Sequence, residues 1–305
     1  MDEKMKFLVI GASGYVGGYC YHYLQSSGYV AAGTQYRSML PGLVTFNLSQ
    51  DAIVSVVDKS FFSGNERKFA LIFAAFSQVE RCFREKKASR EANVEGTIRL
   101  LNDLVMLGVT PVFISTSAVY DGFTGDYNED NLPNPQTEYG KQKVEVEKFI
   151  KENLPPALVF RLDKIVGDIP FERGLFYEWY SLVERGQPIL CLDNIISPTY
   201  VEDIAKSILI SCEKNLKGFY NLANTEIFRR EELARQFASA LGKRSIIKLI
   251  SEKELNFGEF RPPKTFLNST KFIKATGFKF TPMQEVFSRF KHNIGSKSVK
   301  YTPNE

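Results

Sequence analysis

Three glycines at intervals of three, Gly11, Gly14 and Gly17, follow directly on a continuous apolar run, Phe7-Leu8-Val9-Ile10. An apolar run without alternation is what a strand covered by helices on both faces requires. Beyond the glycines, Val16, Tyr19, Cys20, Tyr23 and Leu24 recur at helical spacing, and Gly28 is placed to end that helix. A second strand reads over 29–34. The alternation continues with a strand over 69–75, a helix over 88–107, a strand over 111–116, a helix over 138–152 and a strand over 158–162. Repeated βα units of this kind predict an α/β chain with a doubly wound parallel sheet and ligand sites at the carboxyl ends of its strands.

The glycine string Gly11-Ala12-Ser13-Gly14-Tyr15-Val16-Gly17 lies at the first strand-to-helix junction. Glycines there let the backbone turn tightly and approach a pyrophosphate, whose charge is favoured by the free N–H groups at a helix N-terminus. The string alone is weak evidence; its position makes it a dinucleotide site. A fold of this kind that binds NAD places an Asp or Glu at the end of the second strand to accept the ribose 2′-hydroxyl. No Asp or Glu occurs between Lys4 and Gln50. The strand end reads Thr34-Gln35-Tyr36-Arg37-Ser38 instead, where the Arg37 guanidinium and the Ser38 hydroxyl could hold a 2′-phosphate. The sequence therefore favours NADP(H) over NAD(H).

Composition removes several other chemistries. Lys and Arg outnumber Asp and Glu by only 39 to 35 and are scattered, which argues against a nucleic-acid partner. No apolar run approaches the roughly 18 residues of a membrane span, and the N-terminal apolar stretch is too short for a signal peptide, so a cytoplasmic location is expected. Cys20, Cys82, Cys191 and Cys212 stand far apart, without the spacing of a zinc site or disulfide framework, and read as reduced thiols. The two histidines, His22 and His292, adjoin no nucleophile motif, so no Ser-His-Asp hydrolase and no metal centre is expected.

The remaining chemistry rests on Tyr, Lys and hydroxyls. Tyr139-Gly140-Lys141-Gln142-Lys143 sets a phenol and an ammonium one helical turn apart on one face. About 23 residues earlier the apolar strand Val112-Phe113-Ile114 ends in Ser115-Thr116-Ser117 at the carboxyl edge of the sheet. Hydride arriving at a carbonyl carbon creates an oxyanion that needs a proton donor and a second hydrogen bond. Tyr139 can donate and Thr116 can hold. A cation roughly 5 Å from the phenol, at an effective dielectric of about 20, contributes ~3 kcal/mol and would lower its pKa by about two units.

Taken together these residues resemble the extended short-chain dehydrogenase/reductases, and more narrowly the dTDP-4-dehydrorhamnose reductase branch of sugar-nucleotide reductases. The similarity runs from Gly11 to about Ile273. Its pieces include Ala74-Ala75, Asn93, Ser115-Thr116-Ser117-Ala118-Val119-Tyr120-Asp121-Gly122, Tyr139 to Lys143, Ser197-Pro198-Thr199, Val201 to Ala205, and Arg261-Pro262 followed by Leu267. The resemblance implies a Rossmann-type fold with a smaller interleaved C-terminal substrate-binding lobe, and catalytic roles for Thr116, Tyr139 and Lys143. It implies a cofactor surface made of Gly11, Ser13, Gly14, Tyr15, Val16, Gly17, Arg37, Ser38, Asn47, Leu48, Ala74, Ala75, Phe76, Asn93, Tyr139 and Lys143, with Asn93 supporting the catalytic helix. On the substrate side it implies Gln78, Thr116, Ser117, Lys164 and Arg261, the last against a diphosphate. Two departures stand out: Lys164 occupies the family's substrate-facing Trp position, and Asn47 replaces an Asp before Leu48. Ser117-Ala118 lacks the Asp-Glu pair of the related dehydratases, which disfavours simple elimination.

The expected activity is NADPH-dependent reduction of a nucleotide-linked 4-keto-6-deoxy sugar in polysaccharide precursor synthesis. A non-catalytic cofactor-binding regulatory subunit and a sugar-nucleotide epimerase are the alternatives, and a homodimer is what the family suggests. Residues 1–167, with 195–223 returning to them, are expected to form the NADP-binding domain. Residues 168–194 and 224–295 would form the substrate lobe, and 296–305 a mobile tail.

Overall fold

The chain folds around a parallel sheet whose strands are apolar on both sides, as the run Phe7-Leu8-Val9-Ile10 demands. The structure, a computed structural model, describes residues 5–169, 173–251, 254 and 258–295; the expected mobile tail and Phe171 lie outside the described residues. The first part runs β1 (Met5–Ile10), α1 (Tyr15–Ser26), β2 (Val30–Gln35), β3 (Leu43–Thr45), the short α2 (Ile53–Val56) and α3 (Lys59–Phe62), and β4 (Arg67–Ile72). It continues through α4 (Val79–Arg84), α5 (Lys86–Arg90), α6 (Thr97–Met106), β5 (Thr110–Thr116), α7 (Glu138–Asn153) and β6 (Leu158–Leu162). Then come β7 (Ile165–Val166), α8 (Leu175–Glu184), β8 (Ile189–Leu192), β9 (Ile195–Ile196), β10 (Thr199–Tyr200), α9 (Val201–Glu213) and β11 (Gly218–Leu222). The remainder is β12 (Phe228–Arg229), α10 (Arg230–Ala240), β13 (Ile247–Ile250), α11 (Thr270–Thr276) and α12 (Met283–Gly295).

Seven strands form the main sheet in the order β11-β6-β5-β4-β1-β2-β3. Every pairing in it is parallel. This is the expected doubly wound α/β architecture of Rossmann type. Alternate residues of each strand feed opposite layers. Phe7, Val9, Leu71, Ile114 and Phe160 pack with α1 and α9, whereas Leu8, Ile10, Ile72, Phe113 and Val159 pack with α6 and α7. Because the chain runs outward from β1 to β3 and then returns to β4 on the other side, the order reverses between β1 and β4. A crevice opens there, at the carboxyl ends of the strands.

Some boundaries differ from the sequence reading. The three-residue β3 is too short to carry a pattern of its own. The helix expected over 88–107 begins at Lys86 and passes through a π-helical stretch, Glu91–Gly96. A Cβ on Gly96 would stand 2.1 Å from the Leu48 carbonyl oxygen, so glycine is what lets this helix press against the loop after β3. The smaller lobe has its own core of Phe176, Trp179, Tyr200, Phe237, Phe287 and Phe290 among others. Part of the stretch expected in that lobe belongs elsewhere: Phe272, Phe278 and Phe280 pack on the main sheet, so 270–280 is an outer layer of the main-sheet half. The return to the sheet begins with α9 rather than at 195, because β9 pairs with β12 and not with the main sheet.

One buried ionic contact fixes α7. The Glu147 carboxylate on α7 accepts from Arg161 Nε at 3.0 Å and from its terminal nitrogen at 2.6 Å. It also accepts from Ser115 Oγ on β5 at 2.5 Å, and Arg161 donates in addition to the Tyr120 hydroxyl. Both charged residues are under 5% exposed. Removing one partner of such a pair leaves an uncompensated buried charge. Glu147→Ala should therefore lower unfolding free energy by about 3–5 kcal/mol in urea titrations, and replacing Glu147 and Arg161 together by Met should cost less than the single change.

Candidate functional site

The glycine turn forms the floor of the crevice. Gly11 has φ +92°, a conformation other residues rarely adopt, and its N–H donates to Thr34 Oγ1 at 3.0 Å, which ties the turn to β2. A Cβ on Gly17 would lie 2.3 Å from the Gly11 oxygen. Gly14 caps α1 with no side chain over the helix end, and no acidic residue stands in its first turn. That combination suits an anion at the helix N-terminus.

A cleft of about 1090 Å³ extends from this turn across the strand ends. Of the expected cofactor residues, Gly11, Ser13, Gly14, Tyr15, Val16, Gly17, Arg37, Asn47, Leu48, Ala74, Ala75, Phe76 and Tyr139 line it. Of the expected substrate residues, Thr116, Ser117, Lys164 and Arg261 line it as well. Ser38, Gln78, Asn93 and Lys143 do not, and each has a physical reason. The Gln35 side chain bonds both Leu40 and Leu43, folding the loop so that Ser38 stays outside the lining. Gln78 is an exposed residue at the start of α4. Asn93 is buried behind the wall: its Oδ1 accepts the Phe76 N–H at 2.7 Å, and its Nδ2 donates to the Phe76 oxygen at 3.0 Å and to Gln142 Oε1 at 2.8 Å. It thus joins the loop after β4 to α7.

The hydroxyl set sits at the end of β5. Thr116 Oγ1 accepts the Ala118 N–H at 3.2 Å, and Ser117 Oγ donates to Asp163 at 3.0 Å. Thr137 caps α7 by accepting the Gly140 N–H, so Tyr139 falls in the first turn with its side chain at the cleft. Lys143 lies one turn deeper. Its Nζ donates to the Ile114 oxygen at 2.8 Å, stands 4.4 Å from the Phe113 ring centre and 5.7 Å from that of Tyr139.

These distances correct the expected tuning. Burial, with a smaller contribution from the neighbouring Cys82 sulfur, pushes the Tyr139 phenol above its ordinary range. Burial also brings the Lys143 ammonium down to about 8, with Glu147 pulling the other way. Desolvation is the largest influence on both groups, and the ammonium is directed at a backbone carbonyl.

A strap from the smaller lobe closes the far side. Gly258 donates to Glu80 at 3.0 Å, Glu259 accepts the Glu138 N–H at 2.7 Å, and Lys264 donates to the Gly122 oxygen at 2.8 Å. These contacts bring Phe260, Arg261 and Pro262 into the cleft lining. Sequence reasoning missed two residues here. Asp163, directly after β6, accepts from Ser117, from the Ser197 N–H at 2.8 Å and from Ser197 Oγ at 3.1 Å. Arg230 opens α10 and lines the cleft beside Lys164. The only sequence trace of Arg230 is the pair Arg229-Arg230 ahead of a helical pattern, which a solvated surface would equally produce.

A family model described as the RmlD substrate binding domain matches residues 5–294. The chain is 26% identical over 243 residues to methionine adenosyltransferase 2 subunit beta of Bos taurus, covering 77% of this chain and 72% of that protein. It is 26% identical over 277 residues to the spore coat polysaccharide biosynthesis protein SpsK of Bacillus subtilis, covering 90% and 92%. Among solved structures it resembles the dTDP-4-dehydrorhamnose reductase of Bacillus anthracis in complex with NADP, with a TM-score of 0.81 at 21% identity, covering 94% of this chain and 98% of that one.

The depressed Lys143 pKa carries a sign for stability. The folded chain releases this proton near pH 8, whereas the unfolded chain holds it to about 10.5, so the burial penalty is fully present below pH 8 and is relieved as pH rises to 10.5. Wild-type unfolding free energy minus that of Lys143→Met should rise by on the order of 3 kcal/mol across that window in denaturant titrations.

Proposed function

Because the chain belongs to the RmlD substrate binding domain family, we propose that it is an NADPH-dependent reductase of a nucleotide-linked keto sugar, with a 4-keto-6-deoxy sugar as the reference substrate. The observation that carries this reading is the convergence of the Gly11–Gly17 turn, Thr116 and Tyr139 on one cleft at the point where strand order reverses. The residues suit the dinucleotide: Gly11 and Gly17 permit a turn so tight that a Cβ would collide with Ala74 or the Gly11 carbonyl, the α1 N-terminus is free of acids, and Arg37 stands at the cleft beyond β2 where a 2′-phosphate would lie. NADPH, when bound, supplies the hydride. The chain supplies the rest. Thr116 Oγ1 orients the carbonyl oxygen, and the Tyr139 hydroxyl gives its proton to that oxygen as the carbon is reduced. The raised phenol pKa keeps that proton in place at neutral pH. The Lys143 ammonium offsets the phenolate left behind, and Asn93, Gln142 and Glu147 hold α7 and the Phe76 loop in register.

A second reading, a cofactor-binding regulatory subunit without turnover, is favoured by the similarity to methionine adenosyltransferase 2 subunit beta. Retention of Thr116, Tyr139 and Lys143 in one site favours the reductase.

Purified protein should consume NADPH absorbance on addition of nucleotide-linked keto sugars. No turnover across such a panel, together with NADPH binding and co-purification with a partner enzyme, would establish the regulatory reading instead. Tyr139→Phe should lower kcat by about 10²–10⁴-fold while NADPH affinity stays within about twofold. Arg37→Ala should cut the preference for NADPH over NADH at least tenfold in kcat/KM, with NADH kinetics little changed.

A further inference from the structure

The end of the cleft under β6 gathers cationic side chains around one carboxylate, Asp163. Lys164, Arg230 and Arg261 all line it. Lys164 follows Asp163, and Asp163 is bonded to Ser117, the neighbour of Thr116. Lys164 is thus tied to the hydroxyl set where a sugar carbonyl would react, three strand spacings, or about 14 Å, from β1 and the glycine turn.

Neither Lys164 nor Arg230 has a carboxylate in direct contact among the described residues; Glu178 offsets both at longer range, as Asp163 does for Lys164. Among the described residues, Lys164 makes no side-chain hydrogen bond and no ion pair, and Asp163 next to it is occupied by Ser117 and Ser197. Arg230 forms no ion pair among the described residues, and its Nε is buried without a hydrogen-bond partner. Its guanidinium stands 6.0 Å from the Trp179 ring centre. Burial and then the Arg230 charge depress the Lys164 ammonium, and burial depresses Arg230 too. Two half-buried like charges repel each other and lose hydration, a cost that an entering anion would relieve. A diphosphate diester brings two negative charges, and Arg261 on the strap lines the same cleft. A neutral sugar would leave the Lys164–Arg230 pair facing an uncharged ring.

We infer that Lys164 and Arg230 form an anion subsite for a carboxylate borne by the sugar ring of the substrate. The inference rests on the keto-sugar reading and alters only the substituent, placing a carboxylate where the reference 6-deoxy sugar has no charge. Lys164 is then a specificity-determining residue, and its replacement of the aromatic side chain that the family pattern has there acquires a chemical reason.

Binding of UDP-glucose against UDP-glucuronate, and of dTDP-glucose against dTDP-glucuronate, measured by calorimetry on the full chain with NADP⁺ present, tests this. The expected result is at least tenfold tighter binding of the glucuronate in the series that binds. Lys164→Met should abolish that selectivity by weakening the glucuronate alone, and Lys164→Arg should restore most of it; unchanged melting temperature and NADP⁺ affinity guard against a folding defect. Equal affinity for the two sugars in the wild type would overturn the inference, as would an equal loss for both in Lys164→Met, which would put Lys164 on the diphosphate. Binding of none of the four would remove the keto-sugar reading along with it. Selective binding without turnover on any keto sugar would leave the subsite standing and remove the reductase.

Discussion

The buried Glu147–Arg161 pair is the contact on which the geometry of the site depends. Each ion alone would lose several kcal/mol of hydration, so the pair is tolerable only with its remaining hydrogen-bonding capacity met. Ser115 and Tyr120 meet it, and in doing so they fasten α7 to β5, β6 and the turn after β5 at once. Lys143 lies one helical turn before Glu147 and Tyr139 one turn before that. Fixing Glu147 therefore fixes the phenol relative to Thr116. A helix held only by apolar contacts could slide by a fraction of an ångström; one held by a two-oxygen ionic contact cannot do so without separating charges in a low-dielectric interior.

The cleft is graded in charge along the strand ends. Near β1 it offers backbone N–H groups and a helix N-terminus, at β5 neutral hydroxyls and a buried phenol, and under β6 three side-chain cations with the Asp163 carboxylate beside them. Such a gradient suits a ligand pair whose anionic parts lie at both ends and whose reacting atoms are uncharged. The two halves of the chain meet over it through a few polar contacts, among them Glu138 with Glu259 and Gly122 with Lys264, so the strap that carries Arg261 is positioned by the main-sheet half.

Much of the dinucleotide half was legible because its signals are local. A strand buried on both faces must be apolar throughout, a tight turn under a pyrophosphate must be glycine, and a missing carboxylate at the end of β2 is visible by inspection. The direction of a long side chain is not local. Glu147 reads as one more charge on a helix that also carries Lys141, Glu145 and Lys148, and only the packing of α7 on the sheet puts it at 3% exposure. Asn93 reads both as a cofactor-surface residue and as a support of the helix that carries Tyr139; it lies behind the cleft wall and bonds Gln142 of α7. Lys143 reads as a cation aimed at Tyr139, yet its proton goes to the Ile114 carbonyl. Arg230 gives almost no signal, because a helix-opening arginine is ordinarily solvated.

The sequence by itself determined the order of the main βα units up to β6, the place of the turn and the identity of the groups available for chemistry, since these follow from hydrophobic period, backbone freedom and residue type. Tertiary structure alone decided which of those groups share a cleft, which are desolvated and what each polar atom is bonded to. Proton affinity and charge balance depend on distances between residues far apart in the chain, and those distances exist only after the layers have packed.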